Sequence, residues 1–263
     1  MGMAVTVTNG LKRRWLLVKA VRGTLGFALI GVAAACSVDG DDERCTATGT
    51  RWSGSAAGLS WWQVDLAYVS AFVLVRGREA ALVDCGLGST VDEIDAVLGA
   101  AGTGWDRVRH VLITHAHGDH LGGLSEVTAR APRATLYAGA AEKEGPPFPA
   151  FPDAVASYDW SRSRPVTDGE EVFGLRVVGT PGHTPGHIAV FDPDSRVLVA
   201  GDALTNTVGG LKGPMPEFTL DMPKAEASVR KLAGMEPDVI LVGHGPPVQR
   251  DAAAQLRRLA SSH

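Results

Sequence analysis

From Leu59 onward the chain alternates short apolar runs with stretches of helical period. Trp62 to Arg76 and Ala80 to Asp84 are rich in β-branched and aromatic residues and predict strands. Gly86 to Gly88 make a turn, after which Ser89 or Thr90 can cap a helix to about Ala101. Val91, Ile94, Val97 and Leu98 share one face of that helix. Val108 to Ile113 reads as a short buried strand, Leu121 to Ala131 as a helix, and Ala134 to Ala138 as a strand. Gly145 to Pro152 holds too many prolines for either element and predicts a loop. Strands follow at Glu171–Val178, His187–Phe191 and Arg196–Ala200, then a long Gly/Pro loop over residues 203–222. Pro223 opens a helix to Ala233, Val239 to Val242 is a strand, and Ala252 to Ala260 is a last helix. No internal repeat and no Gly-rich phosphate fingerprint interrupt the alternation. The pattern predicts an α/β (α+β) fold, a four-layer αββα sandwich with two sheets inside and helices outside.

The first 58 residues break this pattern. Lys12, Arg13, Arg14, Lys19 and Arg22 are the charged residues of positions 1–35, and Gly23 to Cys36 is almost uncharged. A basic region, a short apolar run and small residues describe an export signal over residues 1–36. Fourteen helical residues span about 21 Å, short of a bilayer core of about 30 Å, so a cleaved signal is favoured over a membrane span. Val32-Ala33-Ala34-Ala35-Cys36 resembles a bacterial lipoprotein signal, with Ala33 where a Leu is usual, and Arg13-Arg14 resembles a twin-arginine signal. The expectation is an exported protein anchored by lipid at the outer face of a bacterial cytoplasmic membrane. The alternative is a basic extension on a cytoplasmic protein. Residues 37–58 are rich in Ser, Gly, Thr, Ala and Asp and read as a flexible linker, with the folded domain at 59–263.

Composition narrows the partners. The net charge is −4, but without the five cations of the first 35 residues the body holds 20 basic and 29 acidic residues. An acidic body excludes nucleic acid as the main partner, because phosphate binding needs a basic surface. Three cysteines are too few for a disulfide framework. Cys85 lies in an apolar run and reads as a small buried hydrophobe, while Cys36 and Cys45 can pair only if the chain is exported.

The chemistry is concentrated in Thr114-His115-Ala116-His117-Gly118-Asp119-His120, directly after a predicted strand. Two His one residue apart can point the same way from an extended end. Asp119 and His120 then offer an oxygen and a nitrogen to a second position. His183, Asp202 and His244 each follow a strand, where loops from distant segments can converge. Imidazole with carboxylate suits zinc, and also iron or manganese. Five of the eight His take part; His187, His110 and His263 are left outside the set. No Gly-x-Ser-x-Gly element supports a serine nucleophile.

The order and spacing resemble the metallo-β-lactamase superfamily, whose His-x-His-x-Asp-His motif is followed by a His, a bridging Asp and a last His. The resemblance covers roughly residues 62–248 and all seven positions. It implies that His115, His117 and His183 hold one divalent metal, Zn2+ foremost with Fe or Mn as alternatives. It further implies that Asp119, His120 and His244 hold a second, and that Asp202 bridges the two. Asp84 matches the family's early structural Asp. Such a pair can share a water and make it acidic enough to attack a carbonyl carbon or phosphorus as a bridging hydroxide, with Asp119 as proton shuttle.

The resemblance also narrows the substrate. Lactamases usually carry Cys or Ser at the position of Asp202, so antibiotic hydrolysis is disfavoured. Only 19 residues follow His244, so a glutathione-binding helical domain like that of glyoxalase II is not expected. An RNA-holding arm like that of the tRNA-processing members is not visible. The spacing resembles the N-acyl homoserine lactonases, but their Tyr after the bridging Asp is missing: this chain reads Ala203-Leu204-Thr205-Asn206. The expected activity is hydrolysis of an ester, lactone or thioester. The alternatives are a phosphodiesterase, a persulfide oxygenase using one iron, or a metal-binding protein without catalysis. Two loops carry apolar residues, Phe148 and Phe151 on one and Leu211, Met215 and Phe218 on the other. They predict walls for a small uncharged acyl substrate, with Lys212 as the exception.

Overall fold

Strand periodicity places residues i and i+2 on one face of a sheet, and the first strands separate two faces in that way. The computed structural model describes residues 52–66, 68–142 and 162–262, all within one compact unit of residues 45–263. In chain order β1 is Ser53–Ala56, β2 Leu59–Asp65, β3 Ser70–Arg76 and β4 Glu79–Val83; α1 is Val91–Ala100 and β5 Val108–Ile113. Leu59 and Trp61 of β2, Phe72 and Leu74 of β3, and Ala81 and Val83 of β4 enter one core cluster. The intervening Val64, Val73, Ala80 and Leu82 enter another, together with Val91, Ile94, Val97 and Leu98 of α1. Each such side chain contributes about 1.5–3 kcal/mol on burial, so α1 is held by its stripe rather than by its cap. Thr90 occupies the N-cap position, but its hydroxyl donates to the Leu87 carbonyl at 2.7 Å.

Two short helices follow, α2 Gly118–Leu121 and α3 Leu124–Arg130, then β6 Thr135–Gly139 and β7 Ser163–Val166. The seven strands form one sheet in the order β1-β2-β3-β4-β5-β6-β7, parallel from β4 to β7. The second sheet holds β8 Glu171–Val172, β9 Leu175–Gly179, β10 Ile188–Asp192, β11 Val197–Thr207, β12 Gly210–Lys212 and β13 Val239–His244. Its order is β12-β11-β10-β9-β8, with β13 parallel to β11. Val177, Ile188, Val190, Val199 and Leu241 of this sheet meet the first sheet in the core cluster that holds Trp61 and Phe72. Its other face packs on α4, Met222–Ala233, and α5, Ala252–Ser261, through Val229, Leu232 and Leu256. Three successive cores separate four layers, helix, sheet, sheet and helix, as the periodicity predicted.

The structure differs from the sequence reading at several boundaries. The linker expected over 37–58 ends earlier, because Ser53–Ala56 pairs with β2 as a polar edge strand. The expected strand Trp62–Arg76 is two strands that turn where Leu66 N donates to Val69 O. The stretch Glu171–Val178 is a hairpin turning at Phe173 and Gly174, both at positive φ. The helix expected from Leu121 begins at Gly118 and breaks at Gly122 and Gly123, where Gly123 N donates to Gly86 O. The first half of the loop expected over 203–222 is a continuation of β11 and its hairpin to β12, and residues 213–221 remain outside the strands. Residues 1–36, the Cys36–Cys45 pair, the 37–51 stretch, the 145–152 loop with Phe148 and Phe151, and His263 lie outside the described residues. Among the described residues no helix is long and apolar enough to cross a membrane.

Candidate metal centre

The strand ends converge at one edge of the two sheets. β5 delivers Thr114 and His115, the next turn delivers His117, and α2 carries Asp119 and His120. His183 lies on the β9–β10 loop, Asp202 within β11, and His244 at the end of β13. Pairing of β11 with β13 shifts register between Val199 and Gly201 and again between Gly201 and Thr205. Such a bulge re-aims a side chain, and Gly201, at φ 52°, supplies the left-handed residue it needs. Asp202 therefore leaves a buried strand with its carboxylate turned among the histidines.

All seven predicted residues come together. Ligand atoms of His115, His117 and His183 lie within 4.8 Å of one another; so do those of His115, His120 and Asp202, and those of Asp119, His120 and His244. His117 Nδ1 stands 3.0 Å from both His115 Nε2 and His183 Nε2. Asp202 Oδ2 is 3.0 Å from His244 Nε2 and 3.5 Å from His183 Nε2, and its Oδ1 is 3.2 Å from His120 Nε2. Asp119 Oδ2 is 3.6 Å from His244 Nε2 and 3.9 Å from His120 Nε2.

Hydrogen bonds behind the rings decide which nitrogen faces the centre. Thr114 donates its hydroxyl proton to Asp84 Oδ2, so its oxygen can only accept from His115 Nδ1, 3.0 Å away. Thr219 spends its proton on Met215 O, so it too accepts, from His183 Nδ1 at 3.2 Å. His120 Nδ1 donates to Asp84 Oδ2 at 2.8 Å, and His244 Nδ1 to the Tyr68 carbonyl at 2.6 Å. Four imidazoles are thereby set with Nδ1 protonated and the Nε2 lone pair turned inward. His187 is the same tautomer, but its lone pair is already used: Nε2 accepts from Asp202 N at 3.1 Å, and Nδ1 donates to Thr180 Oγ1 at 2.7 Å. It has no lone pair left for a metal and instead anchors the backbone of Asp202.

Electrostatics favour the same assignment. Burial keeps His115 neutral and lowers His117 to about 4 and His183 to about 3, which is the state a ligand needs. Burial also opposes charge on His120 and His244, but Asp202 outweighs it for both and holds them above the usual imidazole range. His120 Nε2 and Asp202 Oδ1 are buried, face each other, and are not aligned for a hydrogen bond. A divalent cation fits this arrangement, because it replaces the proton that the carboxylate otherwise draws to the imidazole and satisfies both atoms at once.

Sequence reasoning found the seven side chains and Asp84 but missed their supports. Tyr68 acts through its backbone carbonyl, which carries no sequence signal. Glu142 lies outside any motif, yet its buried carboxylate accepts from Ala116 N, Thr184 Oγ1 and Gly186 N. Cys85 is a free buried thiol that burial pushes up. Leu211 packs against the core between the second sheet and its helices, and Lys212 Nζ bonds Val208 O within its own hairpin. Leu211 is thus part of the packing of the β11–β12 hairpin on the core, and Lys212, the expected exception to the apolar wall, is tied back to that hairpin.

Similarity to known proteins follows the same segment. A Bacillus subtilis (strain 168) protein named "Probable metallo-hydrolase YflN" is 31% identical over 177 residues, covering 54% of this chain and 66% of that protein. A hydroxyacylglutathione hydrolase of Cereibacter sphaeroides is 35% identical over 170 residues, covering 61% of this chain and 59% of its own. The chain thus spans about three fifths to two thirds of these relatives. The crystal structure of a metallo-beta-lactamase family protein from Thermus thermophilus superposes with TM-score 0.60 at 28% identity, over 78% of this chain and 77% of that one. The fold implies divalent metal ions. The profile described as Metallo-beta-lactamase superfamily matches residues 64–244, from β2 to the histidine that ends β13; the chain belongs to that superfamily and is a metal-dependent hydrolase.

Proposed function

We propose that the chain holds two divalent metals, Zn2+ foremost, and hydrolyses an uncharged ester, lactone or thioester. Asp202 carries this reading. One buried carboxylate reaches His183 on one side and His120 and His244 on the other, all within 3.5 Å. His115, His117 and His183 would hold the first metal, Asp119, His120 and His244 the second, and Asp202 both. When bound, such a pair supplies Lewis acidity towards a carbonyl oxygen and a water that loses its proton near neutral pH.

The chain's own residues do the rest. Asp84, Thr114, Thr219 and the Tyr68 carbonyl hold four imidazoles in one tautomer, so little reorganisation accompanies reaction. Asp119 accepts the proton of the attacking water as its oxygen bonds to the acyl carbon. It returns that proton to the leaving oxygen or sulfur as the C–O or C–S bond breaks. The thioester is included because a hydroxyacylglutathione hydrolase is 35% identical over the shared segment. An uncharged acyl group is favoured by half-buried Met215 and Phe218, next to the Thr219 that bonds His183.

Purified metal-loaded protein should turn over members of an ester, lactone and thioester panel, and faster as the acyl chain lengthens. Asp119→Asn should lower kcat by about 10²–10⁴-fold while the three-histidine group keeps its metal. Turnover confined to phosphodiesters, or metal uptake without turnover on any of these, would sink the reading. Acid should empty the two groups in order. His120 and His244, held above the usual imidazole range, take up protons first as pH falls, whereas His117 and His183 stay neutral down to about 4 and about 3. Zinc release followed with a chromogenic chelator should therefore show two steps. Release of both metals in one step would contradict the assignment.

A further inference from the structure

We infer that Glu142, just beyond β6, is the positioning residue of the three-histidine group and sets its metal affinity without touching the metal. The inference rests on the metal reading above. Glu142 is 3% exposed, and each carboxylate oxygen is committed. Oε1 accepts from Ala116 N at 2.6 Å; Oε2 accepts from Thr184 Oγ1 at 2.7 Å and from Gly186 N at 3.0 Å. Ala116 is the residue between His115 and His117, and Thr184 follows His183. One carboxylate thus ties the turn that carries two ligands on the first sheet to the loop that carries the third on the second sheet.

The surroundings leave little room for another arrangement. A Cβ on Gly186 would lie 2.1 Å from Glu142 N, and one on Gly139 would lie 1.9 Å from Gly186 O. The end of β6 and the β9–β10 loop are therefore pressed backbone to backbone, and Glu142 enters at that contact. A buried carboxylate costs several kcal/mol unless its lone pairs are met, and here three donors from two loops meet them. None of these three donors comes from the Asp119–His120 turn or from β13, so the other ligand group does not depend on this residue. Glutamine has the same shape but one acceptor oxygen. It must present N–H either to Ala116 N–H or to Gly186 N–H, so one of the two loops is released.

The test measures zinc affinity by chelator competition in two backgrounds. In a His244→Ala chain the three-histidine group is isolated, and Glu142→Gln should weaken zinc by about 10–100-fold. In a His117→Ala chain only the other group remains, and Glu142→Gln should change affinity by less than about twofold. Thr184→Val removes one of the three bonds and should weaken the three-histidine group by about 2–10-fold, which keeps the test available if Glu142→Gln folds poorly. A merely structural role would lower the melting temperature of the metal-free chain and leave both affinities alone. Unchanged zinc affinity in the His244→Ala background, or equal loss in both backgrounds, would overturn the role of Glu142. A parent chain that takes up no zinc would instead overturn the metal reading, and this role with it.

Discussion

Asp202→Ala is expected to strip metal from both groups and to lower kcat/KM by about 10³-fold or more. Lewis-acid stabilisation is worth several kcal/mol, and each 1.36 kcal/mol is about tenfold in rate. The reason for a double loss is geometric. Asp202 Oδ2 serves His244 and His183, at 3.0 and 3.5 Å, while Oδ1 faces His120 at 3.2 Å. Alanine removes the shared anion and leaves five imidazoles converging on Asp119, with Asp84 behind His120. Each metal then loses a ligand and gains repulsion from its neighbour. The carboxylate also draws protons to His120 and His244 in the metal-free state; without it burial leaves both rings neutral, so the substitution should not unfold the chain through a stranded cation. Metal analysis after dialysis, with circular dichroism to confirm folding, checks the result. Two metals retained per chain would show that Asp202 does not bridge.

Gly243→Ala should cost about 10²-fold in kcat/KM although it removes no ligand. The missing side chain of Gly243 is what lets β13 pass behind the centre. A Cβ there would lie 2.1 Å from Asp202 Oδ1 and 2.8 Å from His120 Cε1. Neither atom can retreat cheaply, because His120 is fixed by Asp84 and the Asp202 backbone by His187. The carboxylate must move by the order of an ångström, and misplacement on that scale costs about 10²-fold. β13 keeps buried Ile240, Leu241 and Val242, so the melting temperature should shift by less than about 4 °C. Gly99→Ala, where nothing lies within 4 Å of the new Cβ, is the matched control and should leave kinetics unchanged. Activity of Gly243→Ala within twofold of the parent would refute the cradle.

The fold was legible wherever one residue's neighbours in sequence determined its surroundings. Val91, Ile94, Val97 and Leu98 repeat at helical spacing and are the face that α1 buries. Val108–Ile113 matches β5 residue for residue because a short apolar run that ends at a polar cluster has one plausible length. The failures share a cause. Thr205, Asn206 and Thr207 look like loop residues, yet β12 and β13 supply the partners that make them strand. Ser53–Ala56 likewise has no apolar face and becomes a strand only because β2 offers an edge.

The seven candidate ligands were readable because metal binding demands particular side chains, and a dense His-x-His-x-Asp-His run is rare enough to stand out. Their orientation was not. Whether Nδ1 or Nε2 faces inward depends on Thr219, Asp84 and the Tyr68 carbonyl, each brought in by pairing and packing, and on the adjacent Thr114, whose proton the distant Asp84 takes. Leu211, expected at a substrate wall, was claimed by the core beside α5. The sequence by itself thus determined the layers and the chemistry on offer, since periodicity and residue type are local properties. The bulge that turns Asp202, the close pass of Gly243 and the three bonds of Glu142 were decided only in three dimensions, because hydrogen bonds and excluded volume join residues that the chain keeps far apart.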